Sequence, residues 1–216
     1  AVATMLCKSR WVRAWGGSMA IRRETLEQVR LTDYWHGALS DDYQFTRAVR
    51  RAKLGRLYFA SGALVQGSVE FTWASFREFA LRQYRITRVH APGLWTMGLA
   101  VVALYLWGWV ASLAALVMGQ AWALPVIVAM VLMDLQRGIL RGRWVGALYD
   151  AETVERWHRP GGWDRWATVV WMAVNFMMLL GSAWGRTITW AGRRYRMRSP
   201  QRIETFAPDD VGPQKP

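Results

Sequence analysis

The sequence predicts a soluble α/β piece that leads through an amphipathic interfacial helix into α-helical transmembrane segments. Three observations carry that prediction. Residues 93–133 contain no charged side chain over ~40 positions, where one helical crossing takes about 20. Residues 73–90, just before them, space apolar and cationic side chains at helical period. The opening third alternates short clusters of β-forming residues with amphipathic helical stretches.

Composition agrees with this division. The 216 residues are 53% hydrophobic, with 15 Trp and 10 Met, yet carry a formal net charge of +13, so apolar and basic segments must be segregated. A basic balance also suits nucleic acid, whose phosphates Arg neutralises. Here the arginines flank the apolar runs, which favours membrane lipid headgroups and no nucleic acid. Cys7 is the single cysteine, which excludes an internal disulfide framework and a CxxC metal site and fits a reducing compartment. The opening "AVATMLCKSRW" lacks the cationic and apolar regions of a signal peptide, and the start of the protein is expected upstream of it.

Residues 1–72 read as the second half of an α/β domain. "GSMAIRRETLEQV" predicts a short strand at 19–21 and a helix from about Glu24. "DDYQFTRAVRRAKLG" predicts a helix with Asp41 as N-cap, Gln44 completing a capping box and Gly55 as the stop. "RLYFASGALVQG" predicts one or two short strands. Residues 73–92 form the interfacial helix, with Trp73, Phe76, Phe79 and Ala80 apolar and Arg77, Arg82, Arg85 and Arg88 cationic.

Residues 93–137 predict a transmembrane hairpin, with spans at 94–118 and from 121 to about 135 and a turn at Gly119 and Gln120. Asp134 falls near the end of the second span, where a charge costs less than at mid-bilayer. A basic loop, 138–166, leads to a third apolar run at 167–185 and a basic tail at 186–216 that ends in the Pro-rich, disorder-prone "APDDVGPQKP". Trp163, Trp166, Trp171, Trp184 and Trp190 would anchor the third run at the interface. The arginines on both flanks of the hairpin place those flanks in the cytoplasm, while the equally basic tail leaves open whether the third run crosses or re-enters.

The order of certain stretches then resembles a known family. "SDDY" (Ser40 to Tyr43) resembles the third acidic motif of membrane-bound family-2 glycosyltransferases, and "RQYRI" (Arg82 to Ile86) resembles their (Q/R)xxRW motif. "WGGSMAIRRE" is similar to the small-residue loop and strand before the acidic motif. "CKSRWVR" and, above all, "SAWGRTITWAGRRYRMR" (Ser182 to Arg198) resemble the ceramide glucosyltransferase group. The resemblance runs from residue 4 to 198 and covers only the C-terminal portion of that family's length.

It implies the second half of a GT-A domain, and inverting transfer of a hexose, glucose by analogy, from a UDP-sugar donor to a lipid acceptor such as ceramide. Asp42 would be the base and Asp41 its neighbour or helix cap. Arg82 and Arg85 would bind the leaving diphosphate, Gln83 would be a further substrate-binding residue, and Gly16, Gly17 and Ser18 would line the sugar pocket. A general base needs only one carboxylate within hydrogen-bond reach of the acceptor hydroxyl, and two arginines three residues apart share a helix face. Read without the resemblance, the acidic pair is a helix cap and the arginines are headgroup anchors.

The family's Trp after the second Arg is Ile86 here, which bears on the acceptor site. The family's divalent cation, Mg or Mn, is held by an earlier DxD that this sequence lacks, so no metal ligand is expected among these residues, and the segment alone is expected to be inactive. His36, His90 and His158 are too scattered for a metal site and fit surface or interfacial roles. The rival readings are a polysaccharide synthase of the same fold and a non-catalytic membrane anchor.

Overall fold

The computed structural model describes residues 12–60 and 70–206, without the side chains of 157–161 and 164. It is mostly helical, with one small antiparallel sheet. The elements are α1 (Arg23–Gln28), α2 (Leu31–Trp35), α3 (Asp41–Ala52), α4 (Trp73–His90), α5 (Pro92–Val117), α6 (Ala123–Leu148), α7 (Ala151–Trp166), α8 (Thr168–Ser182), β1 (Thr187–Trp190), β2 (Arg193–Ser199) and β3 (Arg202–Thr205). They fall into two compact units, Ala1–Trp95 with Gly181–Pro216, and Thr96–Leu180.

The core of the first unit is Val29, Leu31, Phe45, Ala48 and Val49, with Met19, Ile21, Leu26 and Leu57 packed around it. Phe45, Ala48 and Val49 are spaced to share one face of α3, which buries that face against the end of α1 and the start of α2. The predicted strand at 19–21 is not a strand. Met19 and Ile21 point inward two residues apart, as a strand would place them, but no described segment pairs with their backbone. Residues 56–60 likewise form no strand, and 61–67, the rest of that expected pair, lie outside the described residues.

The sheet lies instead in the segment expected to be a basic tail. β1, β2 and β3 pair antiparallel in sequence order, with Ile188 opposite Tyr195 and Met197 opposite Ile203. Ile188 and Met197 are buried, while the arginines alternate outward, so a strand pattern was present beneath the charge. Ala191 and Gly192, both at positive φ (49° and 74°), make the two-residue turn between β1 and β2. The Pro-rich "APDDVGPQKP" and the opening "AVATMLCKSRW" lie outside the described residues.

α4 matches its expected span. Thr72 caps it by accepting from the Ser75 N–H at 3.2 Å. It stops at Ala91 because Pro92 has no N–H to donate and suits the first turn of α5 instead.

In the second unit, α5 and α6 are two 26-residue helices long and apolar enough to cross a membrane, and among the described residues no others are. Their faces stay open: Leu104 is 69% exposed, Trp107 68% and Met133 68%, which calls for an apolar surround. Tyr105 donates to Asp134 at 2.6 Å, so the one carboxylate at the apolar end of α6 is hydrogen-bonded. α6 outlasts its expected end by more than ten residues, because a charge ends an apolar span without breaking a helix. The expected basic loop is accordingly helical, with Asp150 capping α7 through the Thr153 N–H at 2.8 Å. α8 has 15 residues, about 22 Å at 1.5 Å per residue, short of a ~30 Å hydrocarbon layer.

Candidate functional site

α3 begins one residue earlier than the capping-box reading requires. Ser40 is the N-cap by backbone conformation (φ −117°, ψ 110°), and Asp41 and Asp42 occupy the first turn. The Ser40 hydroxyl makes no cap bond to the helix; it donates to Asp42 Oδ1. Gln44 does not complete a box either. It is wholly buried and donates through Nε2 to the Pro200 carbonyl at 2.5 Å, a tertiary bond that outcompetes the local one.

The two carboxylates behave alike at short range. Asp41 Oδ1 accepts the Asp42 N–H at 2.9 Å, and Asp42 Oδ1 accepts the Tyr43 N–H at 2.7 Å. Both therefore offset the positive end of the helix. Asp42 is part-buried, Asp41 is exposed, and neither Oδ2 has a hydrogen bond among the described residues.

The Gly16, Gly17 and Ser18 turn lies against this pair. Ser18 N donates to Trp15 O at 3.1 Å, and a Cβ on Gly16 would sit 3.3 Å from Asp41 Oδ1, so only a bare backbone fits there without displacing the carboxylate. Thr46 holds the approach in place by accepting from Ala14 N at 3.0 Å and donating to Asp42 O at 2.9 Å.

α4 meets α3 through Tyr43, whose hydroxyl donates to Thr87 Oγ1 at 3.0 Å and whose ring stacks on His90 with centroids 5.4 Å apart. Burial raises the Tyr43 pKa, with the Asp42 carboxylate adding to it and the Thr87 bond opposing. Burial also lowers His90 to about 4, helped by Arg47, so this imidazole is neutral at physiological pH. His90 is thus a packed residue rather than a surface one, His36 is exposed, and the side chain of His158 lies outside the described residues.

The arginine pair is split between tasks. Arg85 Nη1 donates to the Thr187 carbonyl of β1 at 3.0 Å, and its Nε is buried without a partner. Arg82 instead lies over the Phe79 ring at 5.5 Å, half-exposed. Gln83 is exposed, and its carbonyl accepts from Thr87 Oγ1 at 2.9 Å. Arg88 donates to the carbonyls of Ala183 and Gly185 and, with Arg85, ties α4 to the start of the sheet.

Sequence reasoning missed a second constellation. A cavity of about 640 Å³ opens beside Tyr43 and His90, with Arg13, Arg47, Arg50 and Arg51 among its lining residues. The spacing of Arg47, Arg50 and Arg51 on α3 was the signal that could have found it, since positions three and four apart share a helix face. Asp41, Asp42, Arg82 and Arg85 do not line it.

Among the described residues no group of three or more His, Cys, Asp or Glu is placed to hold a metal ion, so these residues do not offer a donor set for the divalent cation that the resemblance implies. Comparison with protein-family models, with curated proteins and with solved structures finds no match.

Proposed function

We propose that this chain supplies the base and the acceptor side of an inverting glycosyltransferase, which moves a hexose, glucose by the family resemblance, from a UDP-sugar to a lipid hydroxyl such as that of ceramide. In this reading residues 1–72 belong to the second half of a GT-A domain, α5 and α6 integrate the protein into the membrane, and the first unit faces the cytoplasm. What supports the reading is one convergence. Gly16 abuts Asp41, Tyr43 bonds Thr87, and Arg85 bonds Thr187 across 102 positions, so four of the five stretches that carry the resemblance lie against one another in one unit.

The chemistry follows from which groups are open. Asp42 Oδ2 takes the proton of the acceptor hydroxyl as its oxygen attacks the anomeric carbon. The bond from that carbon to the UDP oxygen breaks on the opposite face, and the diphosphate leaves with the electron pair. Arg82, whose guanidinium makes no hydrogen bond or ion pair among the described residues, stabilises the charge that develops there. Arg85 positions α4 against β1. No step runs through a metal.

The test is transfer of radiolabelled glucose from UDP-glucose to ceramide by the complete gene product in membranes. Asp42→Asn is expected to lower the rate by roughly a hundredfold or more, the range of a lost general base. Unchanged transfer in that variant would overturn the assignment and favour the reading of the chain as a membrane anchor.

A further inference from the structure

We propose that the arginine-lined cavity beside α3 is a binding site for a phosphate group. Four guanidinium groups line it, Arg13 from the segment before the Gly16 turn and Arg47, Arg50 and Arg51 from one side of α3, and among the described residues no carboxylate lines it with them. Arg13, Arg47 and Arg51 take part in no ion pair among the described residues. Such crowding is costly: burial and the charge of Arg13 both lower the pKa of Arg50. An anion in the cavity relieves that repulsion and gives the planar groups acceptors for paired hydrogen bonds.

The walls are built before any ligand arrives. Arg50 Nη2 donates to Val12 O at 2.7 Å, which holds Arg13's segment against the helix. On the other side Gln44 binds the Pro200 carbonyl, and Gln201 Nε2 reaches the Asp33 carbonyl at 3.3 Å, which fix the β2–β3 turn over α3. That turn adds Ser199 and Gln201 as neutral hydrogen-bonding groups to the cationic wall.

A carboxylate has two oxygens and is satisfied by a single guanidinium fork. Several forks around a concave space match the three or more oxygens of a phosphate. Pro92, the first residue of the apolar helix α5, also lines the cavity. The phosphate can therefore belong to a lipid headgroup, or it can come from a free phosphate compound. The site shares no residue with the proposed transfer machinery and stands or falls independently of it.

The experiment is a ligand-dependent thermal shift of the purified chain in nonionic detergent. Inorganic phosphate, pyrophosphate and a short-chain phosphatidate are titrated against chloride at matched ionic strength. A saturable rise in melting temperature is expected. A rise with phosphatidate alone assigns the site to a lipid headgroup, and a rise with phosphate or pyrophosphate assigns it to free phosphate compounds. Arg47→Gln with Arg51→Gln should weaken the apparent affinity by roughly tenfold or more, while the exposed Arg56→Gln leaves it unchanged. Arg51→Gln alone, at an exposed position, gives the same direction if the double variant does not fold. No saturable shift beyond the chloride control, or equal affinity in the arginine variants, would overturn the proposal.

Discussion

The Tyr43 hydroxyl donates to Thr87 Oγ1 at 3.0 Å, and the Thr87 hydroxyl donates in turn to the Gln83 carbonyl at 2.9 Å. This relay joins the helix of the acidic pair to the helix of the arginine pair across 44 positions. Tyr43→Phe removes the donor and leaves Thr87 with its bond to Gln83, which is expected to cost about 1 kcal/mol. Thr87→Val strands a part-buried phenol and should cost more, about 1–3 kcal/mol. Melting curves of the two variants and the double variant measure the coupling, and additive losses would show that the bond does not join the helices.

His90 makes the first unit sensitive to acid. Its unfolded imidazole titrates near 6.5 and its folded one near 4, so between those values the unfolded chain binds the extra proton. Stability therefore falls as pH drops through 6.5 and stops falling from this cause below about 4. The full span is on the order of 3 kcal/mol. His90→Phe, which keeps a ring to stack on Tyr43, should flatten the melting temperature between pH 7 and 4. An unaltered acid slope would assign the sensitivity to another group.

α1, α3, α4 and the two long apolar helices were legible because periodicity and the absence of charge are local properties, whereas α7 was read as a loop. α4 was found from its own eighteen residues and both long apolar helices from theirs. Residues 19–21 were read as a strand from their apolar character, and Met19 and Ile21 do pack inward, but whether they form a strand depends on a partner elsewhere in the chain. The sheet was hidden for a different reason: its outward positions are arginines, and net charge was weighed above the alternation of Ile188, Tyr195, Met197 and Ile203. Asp42 and Arg85 were singled out through the resemblance. The cavity was not, because Arg13 and the β2–β3 turn come to α3 only through the fold.

The β1–β2 turn carries removable strain. Ala191 sits at φ 49°, where its Cβ crowds the backbone, and Gly192 at φ 74° meets no such penalty. Ala191→Gly is expected to stabilise the sheet by about 1 kcal/mol, and Gly192→Ala to destabilise it by a similar amount. Protection of the β1 and β2 amides in hydrogen exchange gives the direction of each change. Equal protection in both variants would mean that the turn does not limit the stability of the sheet.

The two arginines of α4 should separate cleanly by what their loss disturbs. Arg85 holds the Thr187 carbonyl and has its Nε shut away from water, so Arg85→Ala removes a charge-assisted bond that docks β1 on α4 and leaves that carbonyl unpaired. Arg85→Lys does not restore it, because an ammonium lacks the guanidinium's reach and planar fork. Both variants are expected to lose about 1.5–3 kcal/mol in thermal unfolding. Arg82 lies over the face of Phe79 and makes no hydrogen bond or ion pair among the described residues, so Arg82→Ala should cost under about 1 kcal/mol of stability. In the proposed transfer reaction the order reverses. Arg82→Ala should depress kcat with little change in melting temperature, because its charge is spent on the leaving group rather than on the fold. Stability losses of equal size in Arg82→Ala and Arg85→Ala would mean that both arginines serve the fold, and the leaving-group role would then have no residue on α4.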